Sequence, residues 1–114
     1  MSAYTQKDVV LVKFPFTDLT SSKVRPAIVV SNNYINSSDD IIVVMLTTQP
    51  VDPTHCVEVN NSVVDTPFKT YTTMNANCKK IAVLHHSLIQ KKITRVNNDD
   101  KFEEIISNIK SSFD

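Results

Sequence analysis

The chain has 114 residues, a length that favours one compact domain over 1–114 with a single core. Hydrophobic residues make up 41% of it and charged residues 21%, a balance that excludes wholesale disorder. The 12 basic and 12 acidic residues cancel, which argues against a protein that coats nucleic acid by bulk attraction. Apolar runs are far shorter than the roughly 18 residues of a membrane span, and the first residues do not resemble a secretory signal. We therefore expect a cytoplasmic protein without a membrane role.

The numbers of cysteines and glycines exclude further classes of protein. The two cysteines, Cys56 and Cys78, belong to no closely spaced Cys/His cluster, so we expect two partly buried thiols rather than a disulfide framework or a zinc ribbon. The chain contains no glycine, which excludes glycine-rich phosphate loops, the dinucleotide fingerprint and the nucleophile elbow. Asparagine pairs at 32–33, 60–61 and 97–98 are predicted to replace glycine at turns with positive φ.

Strand patterns dominate the first three quarters of the chain. β-Branched and aromatic residues bounded by turn residues predict six strands, at 9–14, 25–31, 41–47, 54–59, around 69–74 and around 80–84. The unbroken apolar run 41–46 predicts that both faces of the third strand are covered. Short strands separated by turns are typical of a small barrel or a sandwich.

The C-terminal segment has a different period. Its apolar residues recur every three or four positions from about 98 to 113 and predict one helical stripe, formed by Phe102, Ile105, Ile106, Ile109 and Phe113. Asn97 or Asn98 can cap this helix, and acids at its start and Lys110 at its end match the helix dipole. We expect the helix to pack on the barrel.

Charge is unevenly distributed despite the zero net charge. No acid lies between Asp65 and Asp99, whereas six basic residues do: Lys69, Lys79, Lys80, Lys91, Lys92 and Arg95. Two interpretations remain open, a local basic face and lysines scattered over a solvated surface.

The first strand and the segment after it carry the most specific pattern. Residues 7–18 read KDVVLVKFPFTD, and after a polar loop residues 23–32 read KVRPAIVVSN. This arrangement resembles the opening of the MazF/PemK family of toxins from bacterial toxin–antitoxin pairs. The resemblance continues through the LTTQ of 46–49 and the PTH of 53–55, and it weakens after about residue 65.

The resemblance implies a mainly β fold, a small SH3-like barrel of the MazF/PemK/CcdB-like kind with a C-terminal helix. It also implies a homodimer that cleaves single-stranded RNA with neither metal nor cofactor and is neutralised by a cognate antitoxin peptide. The family's arginine at the start of the second strand matches Arg25, and its threonine at the end of the third strand matches Thr47. These two are the predicted catalytic residues.

The proposed chemistry suits these residue types. When a 2′-hydroxyl attacks the adjacent phosphorus, charge builds on the phosphoryl oxygens, and a guanidinium can hold them through two hydrogen bonds. Arg25 is therefore assigned electrostatic stabilisation and, as a second role, proton donation to the leaving oxygen. Thr47 is assigned a hydroxyl hydrogen bond to the same phosphate. The structural alternatives are a surface arginine at the barrel edge and an ordinary β-branched strand residue.

Further residues are predicted to contact RNA. Phe16 could stack on a base and Lys23 could contact phosphate, although Phe14 and Phe16 could instead divide between the core and a partner surface. The full set of candidate RNA contacts is Phe16, Thr17, Lys23, Thr48, Gln49, Lys79 and Lys80.

The sequence departs from the family pattern at two positions. Lys79 aligns with an acid that many members carry, and Ala82 aligns with their arginine. Loss of a general base is expected to slow cleavage by about 10² to 10⁴. A catalytically silent barrel that binds RNA or an antitoxin-like peptide is therefore the main alternative. A poison of a protein target such as DNA gyrase, as in a related barrel family, is a third.

Histidines offer weaker candidates. His55 is a possible accessory residue of the site because imidazole titrates near neutral pH. His85 and His86 would point to opposite faces if their strand continued through both. With no close carboxylate or thiol partner evident for the three histidines, no metal site is predicted.

Overall fold

The structure, a computed structural model, describes residues 4–15, 22–49, 52–69 and 73–114. Its six strands form one antiparallel sheet in the order β4-β5-β3-β2-β1-β6. The strands are β1 (Asp8–Pro15), β2 (Ser22–Val29), β3 (Asp40–Thr47), β4 (Cys56–Asn60), β5 (Thr73–His85) and β6 (Ile89–Arg95). A one-turn helix, α1 (Asn33–Asn36), precedes β3, and the long helix α2 (Asp99–Ser111) follows β6.

The two edges of the sheet meet. A bridge joins Val64, just after β4, to Val96, just after β6, and the amide of Asp65 donates to the carbonyl of Arg95 at 2.9 Å. Because β4 and β6 are the outer strands, this contact curls the sheet and protects edges that would otherwise expose unpaired backbone groups. The predicted mainly β fold with a C-terminal helix is confirmed.

Both faces of the central strands are buried. Val43 and Val44 alternate on β3, and each is fully buried in a different hydrophobic cluster. This confirms the prediction that the third strand is covered on both sides. The curled sheet explains it, because one face lines the cluster beneath α2 and the other lines the second cluster.

Helix α2 packs on the first cluster through one stripe. Phe102 and Ile105 are buried there, and Ile106 and Ile109 pack beside them. Asn98 caps the helix, its Oδ1 accepting from the amide of Lys101 at 2.8 Å, an interaction that contributes about 1 kcal/mol at such positions. Phe113 was predicted to belong to the stripe but is 79% exposed, because the helix ends at Ser111 before its side chain reaches the core.

One other local prediction was wrong, and two elements were missed. The strands expected around 69–74 and 80–84 are parts of one strand, β5, in which Lys69 takes no part and 70–72 lie outside the described residues. Strand β6 and helix α1 were not predicted. The register of the long β5 with β3 shifts between Val44 and Met45, and such a bulge bends the strand. The shift interrupts the alternation of buried and exposed side chains along β5.

The asparagine pairs do not supply positive φ. Asn32, Asn60 and Asn98 have φ of −79°, −103° and −116°, and each accepts a backbone hydrogen bond that caps a helix or a 3₁₀ turn. Within the described residues only Lys7 has positive φ, at 82°. The chain therefore uses asparagine for its side-chain acceptor rather than for its tolerance of left-handed backbone.

Across the described residues, no helix combines the length and the apolar character that crossing a membrane requires.

Candidate functional site

A groove of about 810 Å³ opens at one end of the sheet. The start of β2, the end of β3, the middle of β6 and the segment 66–69 form its walls. Two hydrogen bonds hold that segment, one from the amide of Thr66 to Thr94 Oγ1 at 2.8 Å and one from the amide of Phe68 to Asn61 Oδ1 at 2.9 Å. Leu11 of β1 and Met74 of β5 complete the lining, so six parts of the chain build the groove.

Both predicted catalytic residues line this groove. Arg25 lies on β2 opposite Val12 of β1, and its side chain is exposed. Among the described residues no carboxylate forms an ion pair with it. The guanidinium is therefore available to an anion in the groove, which is the arrangement that binding a phosphate requires.

Thr47 ends β3 in the same groove. Its Oγ1 accepts a hydrogen bond from the amide of Gln49 at 3.1 Å, so one lone pair is engaged while the hydroxyl proton remains able to donate. This local turn also brings Thr48 and Gln49 to the groove wall. Four of the predicted site residues, Arg25, Thr47, Thr48 and Gln49, therefore lie together.

The remaining candidate site residues lie outside the groove or outside the residues that the structure describes. Phe16 and Thr17 are outside the described residues, and for Lys23 only the strand position, opposite Phe14, is described. Lys79 and Lys80 lie within the register shift on β5, between Asn77 and Ile81, and do not line the groove; Lys79 Nζ lies 3.8 Å from Asp52 Oδ2. The six basic residues of the acid-free stretch are consequently divided between several surfaces.

Four cations give the groove its electrostatic character. Arg25 is joined by Lys69, Lys91 and Lys92, and the described lining includes no acid. Lys92 pairs with Asp8 at 3.3 Å, whereas Lys69 and Lys91 form no ion pair with a described residue. A concave surface lined by one sign of charge favours an anionic ligand. The acid-free stretch of the sequence had drawn attention to these lysines. Lys91 and Lys92 come close to Arg25 because they lie on β6, a strand that was not predicted.

Asp8 anchors the base of this region. Its carboxylate is only 2% exposed and accepts from the amide of Thr5 at 2.9 Å and from Arg95 Nη1 at 3.2 Å, with Lys92 Nζ beside it. The acid before the first strand therefore serves as a buried structural counter-ion that holds the N-terminal segment to β6.

His55 lies outside the groove and has its own partner. Its Nδ1 is 2.8 Å from Asp52 Oδ2. This hydrogen bond, and to a smaller extent the one from the amide of Thr54, holds the pKa of Asp52 below its usual value. His55 was a candidate accessory residue, and the structure gives it a contact with a carboxylate rather than with Arg25 or Thr47.

The other two histidines also differ from expectation. Strand β5 ends at His85, and a 3₁₀ turn begins at His86, so the two rings stack on one side with centroids 4.6 Å apart instead of pointing to opposite faces. Asp39 lies next to both rings. The premise that these histidines lack a nearby carboxylate was therefore wrong.

The two thiols differ in burial. Both cysteines are free, Cys56 half-buried and Cys78 buried. Burial raises the pKa of the Cys78 thiol to about 11, so this group is protonated at neutral pH. Cys56 is partly buried as expected, whereas Cys78 is fully buried.

Comparison with known proteins identifies the family. Residues 5–113 match the model of the PemK-like, MazF-like toxins of type II toxin–antitoxin systems. Comparison with curated protein sequences finds no match.

Several solved structures share the fold. One is an endoribonuclease in complex with its cognate antitoxin from a mycobacterial species, with a TM-score of 0.75, 19% identity, and 97% of this chain and 95% of that chain covered. Another mycobacterial endoribonuclease has a TM-score of 0.74, 21% identity, and 99% and 93% coverage. The MazE–MazF structure (Form-II) from Deinococcus radiodurans has a TM-score of 0.76, 13% identity, and 99% and 97% coverage. With nearly the whole chain matched by the family model, this protein belongs to the PemK-like, MazF-like toxins of type II toxin–antitoxin systems.

Proposed function

We propose that the protein is a toxin-type endoribonuclease that cleaves single-stranded RNA in the cytoplasm without a metal ion. The observation that carries this proposal is the meeting of Arg25 and Thr47 in a groove whose described lining has four cations and no acid. Endoribonucleases among the structural neighbours support it.

In the proposed reaction the 2′-hydroxyl oxygen bonds to phosphorus as the bond from phosphorus to the 5′-oxygen breaks. Arg25 stabilises the charge that develops on the phosphoryl oxygens, and Thr47 donates its hydroxyl proton to one of them. The leaving 5′-oxygen gains a proton and the 2′-hydroxyl loses one. The products are a 2′,3′-cyclic phosphate and a 5′-hydroxyl end.

The residues in the groove support the proposed metal independence. Mg²⁺ is usually held through carboxylates, and the described lining offers neither a carboxylate nor an imidazole. The same composition leaves the described groove without a usual general base, so we expect slow turnover.

The decisive experiment incubates purified protein with single-stranded RNA in EDTA and maps the ends of the fragments. We expect cyclic-phosphate and 5′-hydroxyl ends, and no cutting of a matched strand whose sugars all lack the 2′-hydroxyl. Intact RNA, or cutting of the deoxy strand, would contradict the proposal.

We further propose a homodimer whose groove binds either RNA or the tail of a cognate antitoxin. The MazE–MazF structure and the neighbour bound to its antitoxin support this partner. Val24, 41% exposed at the groove wall, offers apolar surface to a partner chain. An acidic antitoxin tail would meet the same cations as RNA, so binding of the two should be mutually exclusive.

A binding function without catalysis is the second candidate. Lys79 stands where an acid was expected, and Ala82 where an arginine was expected; the structure pairs Lys79 with Asp52 and packs Ala82 against the second cluster. A gel shift that weakens with added salt, with RNA never cut, would favour this candidate. Growth arrest with intact cellular RNA would instead indicate a gyrase-type poison.

Replacing Thr47 with valine tests the hydroxyl. Valine keeps the β-branched shape suited to β3 but removes one hydrogen bond, so we expect cleavage to slow by roughly 2- to 12-fold. The rate constant under saturating RNA measures this effect. Thr73→Val, at the start of β5 on a residue that does not itself line the groove, is the matched control and should cleave at the wild-type rate. An unchanged rate in Thr47→Val would remove Thr47 from the site.

Replacing Lys91 with alanine tests the phosphate track. Lys91 lines the groove, whereas Lys80 is equally exposed but lies outside it. We expect Lys91→Ala to weaken binding of RNA of any sequence and to reduce the slope of log affinity against log salt by about 0.7, the value for one phosphate contact on a single strand. Filter binding over a range of salt concentrations measures this slope. Equal slopes for Lys91→Ala and Lys80→Ala would show that RNA does not follow the groove.

A further inference from the structure

A second cluster of chemically active side chains lies where β3 begins and β5 ends. Asp39, His85 and His86 each offer one ligand atom, and these atoms all lie within 4.8 Å of one another. All three side chains are exposed. Within the described part of the chain, this is the only group of three histidine, cysteine or acidic residues with such spacing.

The backbone beneath the cluster is well defined. Asp40 pairs with His85 in the ladder of β3 and β5, and the amide of His86 donates to the carbonyl of Asp39 at 3.0 Å. These contacts restrain the backbone at all three residues, so binding an ion requires mainly side-chain rotation. A ligand set on fixed backbone loses little entropy when it binds an ion.

The side chain of His85 is itself oriented. Its Nδ1 lies 2.7 Å from Ser87 Oγ and accepts from the amide of Ser87 at 3.1 Å. These contacts occupy Nδ1 and leave Nε2 for a ligand. Binding a metal through Nε2 requires the ring proton on Nδ1, which then donates to Ser87 Oγ and gives up the hydrogen bond from the Ser87 amide. A proton donated from Nδ1 is the type of contact that orients metal-bound histidines.

The three side chains of this cluster are of the types that bind transition-metal ions. We propose that Asp39, His85 and His86 form a binding site for one divalent transition-metal ion such as Zn²⁺. Two imidazoles and one carboxylate are a common three-residue set for such ions and leave a fourth position for water. Tetrahedral zinc with bonds near 2.0–2.1 Å separates its ligand atoms by roughly 3.4 Å, so small rotations of exposed side chains complete the site.

This site is separate from the groove. Asp39 precedes β3, and Thr47 ends it, so the two lie at opposite ends of a strand that rises about 3.3 Å per residue, or roughly 23 Å over its length. The ion therefore takes no part in the proposed RNA cleavage. Removing it with EDTA should leave that reaction unchanged.

Isothermal titration of tag-free, EDTA-treated and desalted protein with ZnCl₂ tests the site. We expect saturable binding of one ion per chain and a melting temperature that rises by roughly 5 °C or more at saturation, reversed by EDTA. Absence of saturable binding, or one ion per two chains, would overturn a site formed within a single chain.

Variants locate the ion. Loss of a ligand in His85→Ala, His86→Ala or Asp39→Asn should weaken binding at least tenfold, and Ser87→Ala should weaken it about 10- to 100-fold. The matched controls are His55→Ala, a histidine paired with Asp52 elsewhere, and Asp40→Asn, the neighbouring carboxylate. Cys56→Ser controls for binding by the half-buried thiol. Wild-type affinity in the ligand variants, or lost binding in a control, would overturn the assignment.

Discussion

Replacing Arg25 with alanine is expected to lower the rate of RNA cleavage by roughly 10²–10³-fold, the usual effect of removing one donor that stabilises charge in a transition state. The side chain is exposed and has no described acidic partner, so its loss should change the free energy of unfolding by less than about 0.5 kcal/mol. Cleavage rates under single-turnover conditions, together with urea unfolding, separate these two effects.

Two control variants sharpen the test of Arg25. Arg25→Lys keeps the positive charge but not the planar fork that binds two phosphoryl oxygens, so its rate should fall between those of wild type and Arg25→Ala. Lys80→Ala removes an exposed cation outside the groove and should leave the rate unchanged. If Arg25→Ala cleaves at the wild-type rate, Arg25 is a surface arginine and the proposed mechanism fails. If Arg25→Ala binds RNA normally but does not cut it, the charge-stabilising role is supported.

Replacing Asp8 with alanine is expected to lower the free energy of unfolding by about 2–3 kcal/mol, because charge-assisted hydrogen bonds are lost from a buried carboxylate. Lys92 and Arg95 have 46% and 36% of their side chains exposed and can turn to water, which keeps the loss below that of a fully buried ion pair. Urea unfolding followed by circular dichroism measures this change. The freed Lys92 should also strengthen RNA binding in low salt, since it already lines the groove.

Asp99 provides the comparison for Asp8. Its carboxylate pairs with Lys7 at 2.6 Å but is 84% exposed, and this hydrogen bond holds the pKa of Asp99 below its usual value. Exposed pairs contribute little to stability, so Asp99→Ala should lower the unfolding free energy much less than Asp8→Ala. Similar losses in the two variants would show that burial of Asp8 is not what makes its contacts strong.

The sequence patterns that predicted secondary structure correctly are those whose physical cause lies in neighbouring residues. The apolar runs near 9–14 and 41–47 predicted β1 and β3, and the three- to four-residue period predicted α2 with Asn98 as its cap. Strand β6 was missed because Gln90, Lys91 and Lys92 interrupt its apolar residues. Its place at the sheet edge comes from pairing with β1 and not from its own pattern.

Some residues of the candidate site could be predicted from local sequence patterns, and others could not. Arg25 and Thr47 were identified from short motifs at strand ends, and Thr48 and Gln49 follow directly from the turn after β3. Lys69, Lys91 and Phe68 were not assigned to the site, because no nearby pattern connects them to Arg25. The bridge between Val64 and Val96 brings their segments to the groove.

By itself, the sequence determined the class of fold, the C-terminal helix, and the chemical identity of the residues proposed to hold a phosphate. Periodicity and residue chemistry are properties of neighbouring positions, and they can be read along the chain. Only the tertiary structure decided which cations share the groove, that Lys79 pairs with Asp52 instead, and that Asp39 joins His85 and His86. These outcomes depend on strand order, register and the curl of the sheet, which long-range pairing sets.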